Sequence, residues 1–294
     1  MLEAINQMRR KMAEGDAKRD AGLTVPEGLV RHFSIPYGPD PENLTDVYYP
    51  EGTEEPLPTI ISIHGGGWCY GDKKLYSHYC MRLAKRGFTV VNFDYRLAPE
   101  HPYPAPVEDS CRVLNWIARE GEKYCIDSQR LFVVGDSAGG QIAYQVLTML
   151  TNKAYAELFS FPAPEGVRVL GCGMNCGCYF IPLNKFVTPK KMGLMFEAYF
   201  PGDYMAAVPQ LKAGKYITKD FPPAFVTSSY NDFLLWMAHP LYLLLRMKGV
   251  KAKVKIYGTK KQKNIGHVFH VNCYLKEADL CNDEQCAFFR SLIV

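Results

Sequence analysis

The chain has 294 residues, with 34 Lys plus Arg against 30 Asp plus Glu and a formal charge of +4. Apolar residues make up 48% and charged residues 22%, proportions that argue against a disordered or fibrous chain. So small a charge, with no Lys/Arg-rich block, leaves no electrostatic case for a nucleic-acid partner. No apolar run approaches the ~18 residues of a membrane span.

The length fits one large α/β domain or two small ones. Residues Met1 to Arg10 carry charge where a signal peptide needs an apolar core, so the default expectation is a cytoplasmic address. The ten cysteines mostly sit in apolar stretches and read as reduced, buried thiols. No Cys-x-x-Cys pair and no H-E-x-x-H pattern occurs, so no metal site is expected.

Residues 1–24 place Leu2, Ile5, Met8 and Met12 at helical spacing, which predicts one amphipathic helix ahead of the main body. Val30 to Ile35 and Leu44 to Tyr49 read as paired strands around a proline-rich turn. Strands and helices then alternate. Strands are expected over Pro58 to His64, Phe88 to Asp94, Arg130 to Gly135 and from Val167 to Gly171. Helices are expected over Ser77 to Arg86, Pro106 to Arg119 and Gln141 to Leu150. Such alternation implies a mostly parallel sheet with helices on both faces.

The rhythm breaks between Tyr179 and Asp220, a stretch holding Pro182, Pro189, Pro201 and Pro209 and an amphipathic piece from Met192 to Phe200. It is too long for an ordinary connection and too apolar for a linker, which suggests a cap over the main sheet. The strand Ala224 to Ser229, the helix His239 to Lys248, the strand Ala252 to Tyr257 and the helix Asp283 to Leu292 complete the chain.

Gly135-Asp136-Ser137-Ala138-Gly139-Gly140 fits G-x-S-x-G between a β-branched strand and an amphipathic helix. The small residues permit a tight turn that projects the Ser137 hydroxyl beside the free N–H groups of a helix N-terminus. His64-Gly65-Gly66-Gly67-Trp68 follows another strand. Three glycines without Cβ atoms let backbone N–H groups approach an oxygen anion, each donor contributing on the order of 3 kcal/mol. A phosphate loop is excluded, because no Gly-Lys-Ser/Thr follows and G-x-G-x-x-G is not satisfied.

A serine nucleophile needs a base and an orienting acid, in the chain order Ser, Asp or Glu, His. His239 precedes Pro240 at a predicted helix start and suits a capping role. His267 lies in the loop after the last strand and is preferred as base, with His270 the alternative. Asp232 follows the strand Ala224 to Ser229 and is preferred as acid over Asp203 and Asp220 of the inserted region. It would accept the Nδ1–H of His267 and fix the tautomer.

These motifs, together with Asp94-Tyr-Arg-Leu-Ala-Pro-Glu-His-Pro-Tyr-Pro-Ala105, resemble the hormone-sensitive-lipase-like family of α/β-hydrolases, in its GDSAG branch of bacterial carboxylesterases. The resemblance covers roughly residues 25 to 290. It implies an α/β-hydrolase fold and a triad of Ser137, Asp232 and His267. It also implies oxyanion donors at Gly66, Gly67 and Ala138, and a cap built from about residues 1–24 and 179–220 of a single domain. Arg96 and Glu100 are then supporting residues. The sequence departs from the family at Phe233, where Pro is usual, and at Val268, where Gly is usual.

The expected activity is hydrolysis of short-chain, acetyl-type esters without cofactor, acetylated xylan or its oligosaccharides included. An amide or formamide hydrolase and a non-catalytic ligand-binding protein are the alternatives. Trp68, Tyr70, Tyr179 and Tyr230 are expected as aromatic pocket walls, with Phe180 and Trp236 further candidates. A homodimer through the last strand is compatible with the resemblance, although Lys251, Lys253 and Lys255 discourage open edge pairing.

Overall fold

The β-branched runs form one eight-stranded sheet in a computed structural model that describes residues 1–181, 190–202 and 204–293. Pro182, Pro189 and Asp203 lie outside the described residues. The strands are β1 (Leu29–Pro36), β2 (Leu44–Pro50), β3 (Leu57–Ile63), β4 (Thr89–Phe93), β5 (Ile126–Asp136), β6 (Val169–Asn175), β7 (Ala224–Ser229) and β8 (Ala252–Tyr257). Their spatial order is β1-β2-β4-β3-β5-β6-β7-β8. β2 runs antiparallel to β1 and β4, and every other pairing is parallel. The segments that follow β3, β5, β6, β7 and β8 therefore emerge at one edge of the sheet, where ligands bind in open α/β sheets.

The helices are α1 (Leu2–Asp20), α2 (Lys73–Ala84), α3 (Ala105–Glu120), α4 (Ser137–Thr151), α5 (Lys153–Ala156), α6 (Lys190–Tyr199), α7 (Val208–Leu211), α8 (Leu235–Met247) and α9 (Lys276–Arg290). Side chains of α3, α4 and α8 pack in one apolar cluster with Ile61, Ile63 and Val133 of the sheet. Those of α2 and α9 pack with Ile60, Val90 and Phe132 in a second cluster on the other face. Both faces are thus covered, which is why the central strands are nearly continuous apolar runs.

Several boundaries differ from the sequence reading for identifiable reasons. α2 begins at Lys73 because the Asp72 side chain accepts from the Leu75 N–H at 2.7 Å, an N-cap the apolar spacing does not reveal. α8 begins at Leu235, so His239 and Pro240 lie inside it and His239 caps nothing. α9 starts at Lys276, ahead of the expected Asp283. α4 is buried all round from Ala138 to Met149, not on one face only. Its two glutamines are satisfied internally: Gln141 accepts from the Trp68 indole at 2.9 Å, and Gln145 donates to the Tyr103 hydroxyl at 2.8 Å.

Candidate active site

β5 ends at Asp136 and α4 begins at Ser137, so a single residue makes the strand-to-helix turn. Ser137 takes φ +50, a left-handed conformation that costs a non-glycine residue about 1–3 kcal/mol. The turn closes only because Gly139 has no Cβ, which would collide with the Ile63 carbonyl of β3. The Ser137 hydroxyl is thereby lifted clear of the sheet edge.

His267 comes from the loop after β8. Its Nε2 lies 3.0 Å from Ser137 Oγ and its Nδ1 lies 2.7 Å from Asp232 Oδ1. Asp232 follows β7 and is buried. Its Oδ1 also accepts from the Leu234 N–H at 2.9 Å, and its Oδ2 accepts from the Ser228 hydroxyl at 2.7 Å. Burial alone would raise the pKa of this carboxyl, but His267, the Leu234 N–H and Ser228 outweigh it and hold the group below the ordinary aspartate value. Asp232 thus stays ionised beside the imidazole. His270 is not brought to Ser137. It is buried against Tyr79 and Phe269, and burial pushes its pKa down to about 3, so it is neutral.

The glycine loop after β3 faces the same hydroxyl. Gly66 has φ +117, and a Cβ there would run into the Tyr70 carbonyl. Among the described residues the Gly66 and Gly67 N–H groups donate to no protein acceptor. The Ala138 N–H, in the first turn of α4, has no acceptor within its own helix. Gly65 is held by another route: its N–H donates to the Tyr76 hydroxyl at 3.0 Å, and that hydroxyl donates to Asp136 Oδ2 at 2.8 Å. Burial pushes the Asp136 pKa up to about 7, against the opposing pull of Tyr76 and His267. His64 is structural. It stacks on Tyr95 at 4.1 Å, and burial pushes its pKa down to about 4.

A cavity of about 540 Å³ opens on Ser137 and His267. α1 contributes Met12, Asp16 and Arg19 to its wall, and α6 contributes Met192 and Met195. Two of the four expected aromatic residues line it. Trp68 does so while donating to Gln141 and stacking on Tyr199 at 4.6 Å, and Tyr70 donates its hydroxyl to Asp16 at 2.8 Å. The other two do not. Tyr179 is buried, with its hydroxyl accepting from the Gly177 N–H at 3.2 Å. Tyr230 is 47% exposed on the outer surface, as is Trp236 at 53%.

Phe233 takes the place the sequence reading gave to Tyr230. It lines the cavity with its ring centroid 4.3 Å from that of His267. The signal for it was its position directly after Asp232. Val268, the other departure, takes φ +57, a conformation that glycine adopts freely and a β-branched residue does not. Arg96 pairs with Asp109 and Glu108, whereas Glu100 pairs with Arg9 of α1 at 2.7 Å.

Residues 60–271 match the model of a family described by its α/β-hydrolase fold. The chain belongs to the α/β-hydrolase family. Its motifs place it in the hormone-sensitive-lipase-like type. This α/β-hydrolase is 37% identical to carboxylesterase NlhH of Mycobacterium tuberculosis over 229 residues. That stretch is 71% of this chain and 66% of NlhH, just under two thirds of the relative's length. It is 39% identical over 101 residues to versiconal hemiacetal acetate esterase of Dothistroma septosporum, covering 34% of this chain and 31% of that enzyme. Among solved structures, esterase B of Lactobacillus rhamnosis superposes with a TM-score of 0.89 at 26% identity, covering 99% of this chain and 95% of its own.

Proposed function

We propose that this α/β-hydrolase is a serine carboxylesterase for short-chain, acetyl-type esters. The observation that carries the proposal is the unbroken line from Ser137 Oγ through His267 to Asp232, at 3.0 and 2.7 Å, opening on a cavity. Ser137 Oγ attacks the ester carbonyl as His267 Nε2 takes its proton. Asp232 stabilises the imidazolium. The oxyanion is held by the N–H groups of Gly66, Gly67 and Ala138. The C–O bond to the alcohol breaks, and His267 returns the proton to the leaving oxygen. Water, activated by the same base, then releases the acid and restores Ser137.

The acetyl preference is supported by the presence of Met195 and Cys178 in the cavity lining, and by the acetate esterase among the relatives. The exposed Lys263 and Asn264, with Asn272, form a polar rim that suits a hydroxyl-rich leaving group, as in acetylated xylo-oligosaccharides. α1 and the described part of the 179–220 region, including α6, act as a cap on a single domain. A cytoplasmic setting fits the ten unpaired cysteines. A homodimer through β8 would need Lys251 and Lys253 matched by the partner, since Lys255 is already paired with Glu284.

A panel of acetyl to octanoyl esters, acetylated xylo-oligosaccharides and an aryl-formamide, run on wild type and Ser137→Ala, tests this. We expect acetyl and butyryl esters to be turned over fastest and Ser137→Ala to lose at least ~10³-fold. Equal rates in the two proteins overturn the proposal, and a faster rate on the formamide reassigns the reaction to amide-type hydrolysis.

A further inference from the structure

Cys176 follows β6 directly, at the same sheet edge as Asp232 and His267. Its Sγ, a carboxylate oxygen of Asp232 and a ring nitrogen of His267 all lie within 4.8 Å of one another. Among the described residues no other three His, Cys, Asp or Glu side chains converge in this way. The backbone at Cys176 is left-handed, φ +47, and its side chain is buried in the strand-end cluster with Ile265 and Phe269.

We propose that Cys176, Asp232 and Nδ1 of His267 bind a borderline-soft divalent cation of the Zn²⁺ type, and that its binding switches the hydrolase off. One sulfur, one imidazole nitrogen and one carboxylate oxygen form a donor set that favours Zn²⁺ over Mg²⁺ or Ca²⁺. Metal–ligand bonds of about 2.0–2.3 Å at tetrahedral angles need donor separations of roughly 3.2–3.7 Å. His267 Nδ1 and Asp232 Oδ1, at 2.7 Å, open by about half an ångström, and the sulfur, within 4.8 Å of its partners, closes by no more than about one. Water takes the fourth position. A thiolate and a carboxylate cancel the dication's charge, so the buried unit is neutral.

The inhibitory effect follows from the tautomer. The cation takes the Nδ1 lone pair, and the ring proton moves to Nε2. The imidazole then presents an N–H to Ser137 and can no longer accept its proton. The thiol gives up its own proton, R–SH + M²⁺ → R–S–M⁺ + H⁺, with no electron transfer. One proton is released for each cation bound, so binding tightens as the pH rises. The sequence hides this site because its ligands come from three separate strand ends.

Loss of turnover rests on His267 being the base, but occupancy can be read without activity. Co²⁺ is titrated into chelator-treated wild type while absorption and ester turnover are followed. We expect a near-ultraviolet sulfur-to-cobalt charge-transfer band that saturates at one equivalent. Turnover should fall in step, Zn²⁺ should displace the band, and a chelator should restore activity. In Cys176→Ser and Cys176→Ala the band should vanish. Inhibition by Zn²⁺ should weaken at least ~100-fold relative to each variant's own metal-free rate. Either variant suffices if the other does not fold. No band in wild type, a band that persists in the variants, or a band without loss of turnover overturns the proposal. A saturable band in a protein that hydrolyses no ester leaves the site standing and removes the esterase reading.

Discussion

The thioether sulfur of Met195 fills the space that a Cβ on Gly67 would need. A side chain from α6 therefore rests on a glycine of the loop that faces Ser137. Met195→Ala should open the cavity on that side and raise the ratio of hexanoate to acetate kcat/KM by about tenfold or more, since each accommodated methylene contributes on the order of 1 kcal/mol. Steady-state rates on a graded series of acyl esters decide it, and an unchanged ratio would show that Met195 does not set acyl length. Gly67→Ala combines that collision with φ +61 and should lower kcat about 10²-fold or more.

Asp136 offers a pH test. Its folded-state pKa of about 7 lies above the ordinary 3.8, so the folded protein holds the proton more tightly than the unfolded chain. The resulting stabilisation is complete below pH ~4 and is lost as pH rises toward 7, an effect on the order of a few kcal/mol. Asp136→Asn removes the titration while keeping an acceptor for Tyr76. The gap in thermal midpoint between Asp136→Asn and wild type should widen in the variant's favour from pH 4 to 7 and stay level above. A gap independent of pH would rule out this ionisation as the cause.

Val268 stands in a conformation that costs a β-branched residue about 1–3 kcal/mol. Val268→Gly loses some apolar contact and gains unfolded-state entropy, yet it relieves that strain. We expect a thermal midpoint equal to or above wild type. A fall of many degrees would mean that the packing of Val268 outweighs its backbone strain.

Arg9 fastens α1 to the body. Its guanidinium donates to Glu100 at 2.7 Å, to the Cys69 carbonyl at 2.7 Å and to the Ala98 carbonyl at 3.0 Å. Cys69 follows the glycine loop closely and the Ala98 N–H donates to the Trp68 carbonyl at 2.9 Å, so α1 and the loop share an anchor. Arg9→Ala should raise KM several-fold with a smaller change in kcat, and should speed proteolytic cleavage within α1. Equal cleavage rates and an unchanged KM would count against this anchoring role.

Much of this arrangement is written locally. β7 and β8 match their expected ranges, and β5 and α4 meet at the serine as the G-x-S-x-G pattern requires. His267 and Asp232 are 35 residues apart, yet they are legible because parallel strands end at one edge and each follows such an end. The cavity walls were harder to read. Tyr179 and Tyr230 have the same chemistry as Tyr70, and only the direction in which each side chain leaves the backbone separates a wall from a core or surface residue. Phe233 was visible only as a departure, and the convergence of Cys176 with Asp232 depends on β6 lying beside β7, which no local pattern encodes.

The thiols supply a reporter that needs no label. Eight of the ten cysteines are buried, and only Cys125 and Cys273 are partly open to solvent. The native protein should therefore react quickly with a chromogenic disulfide at no more than these two positions, while the unfolded chain offers all ten. Each opening of the fold is then countable as released chromophore, and cysteines on opposite faces of the sheet, Cys111 of α3 and Cys286 of α9, can tell which layer parts first.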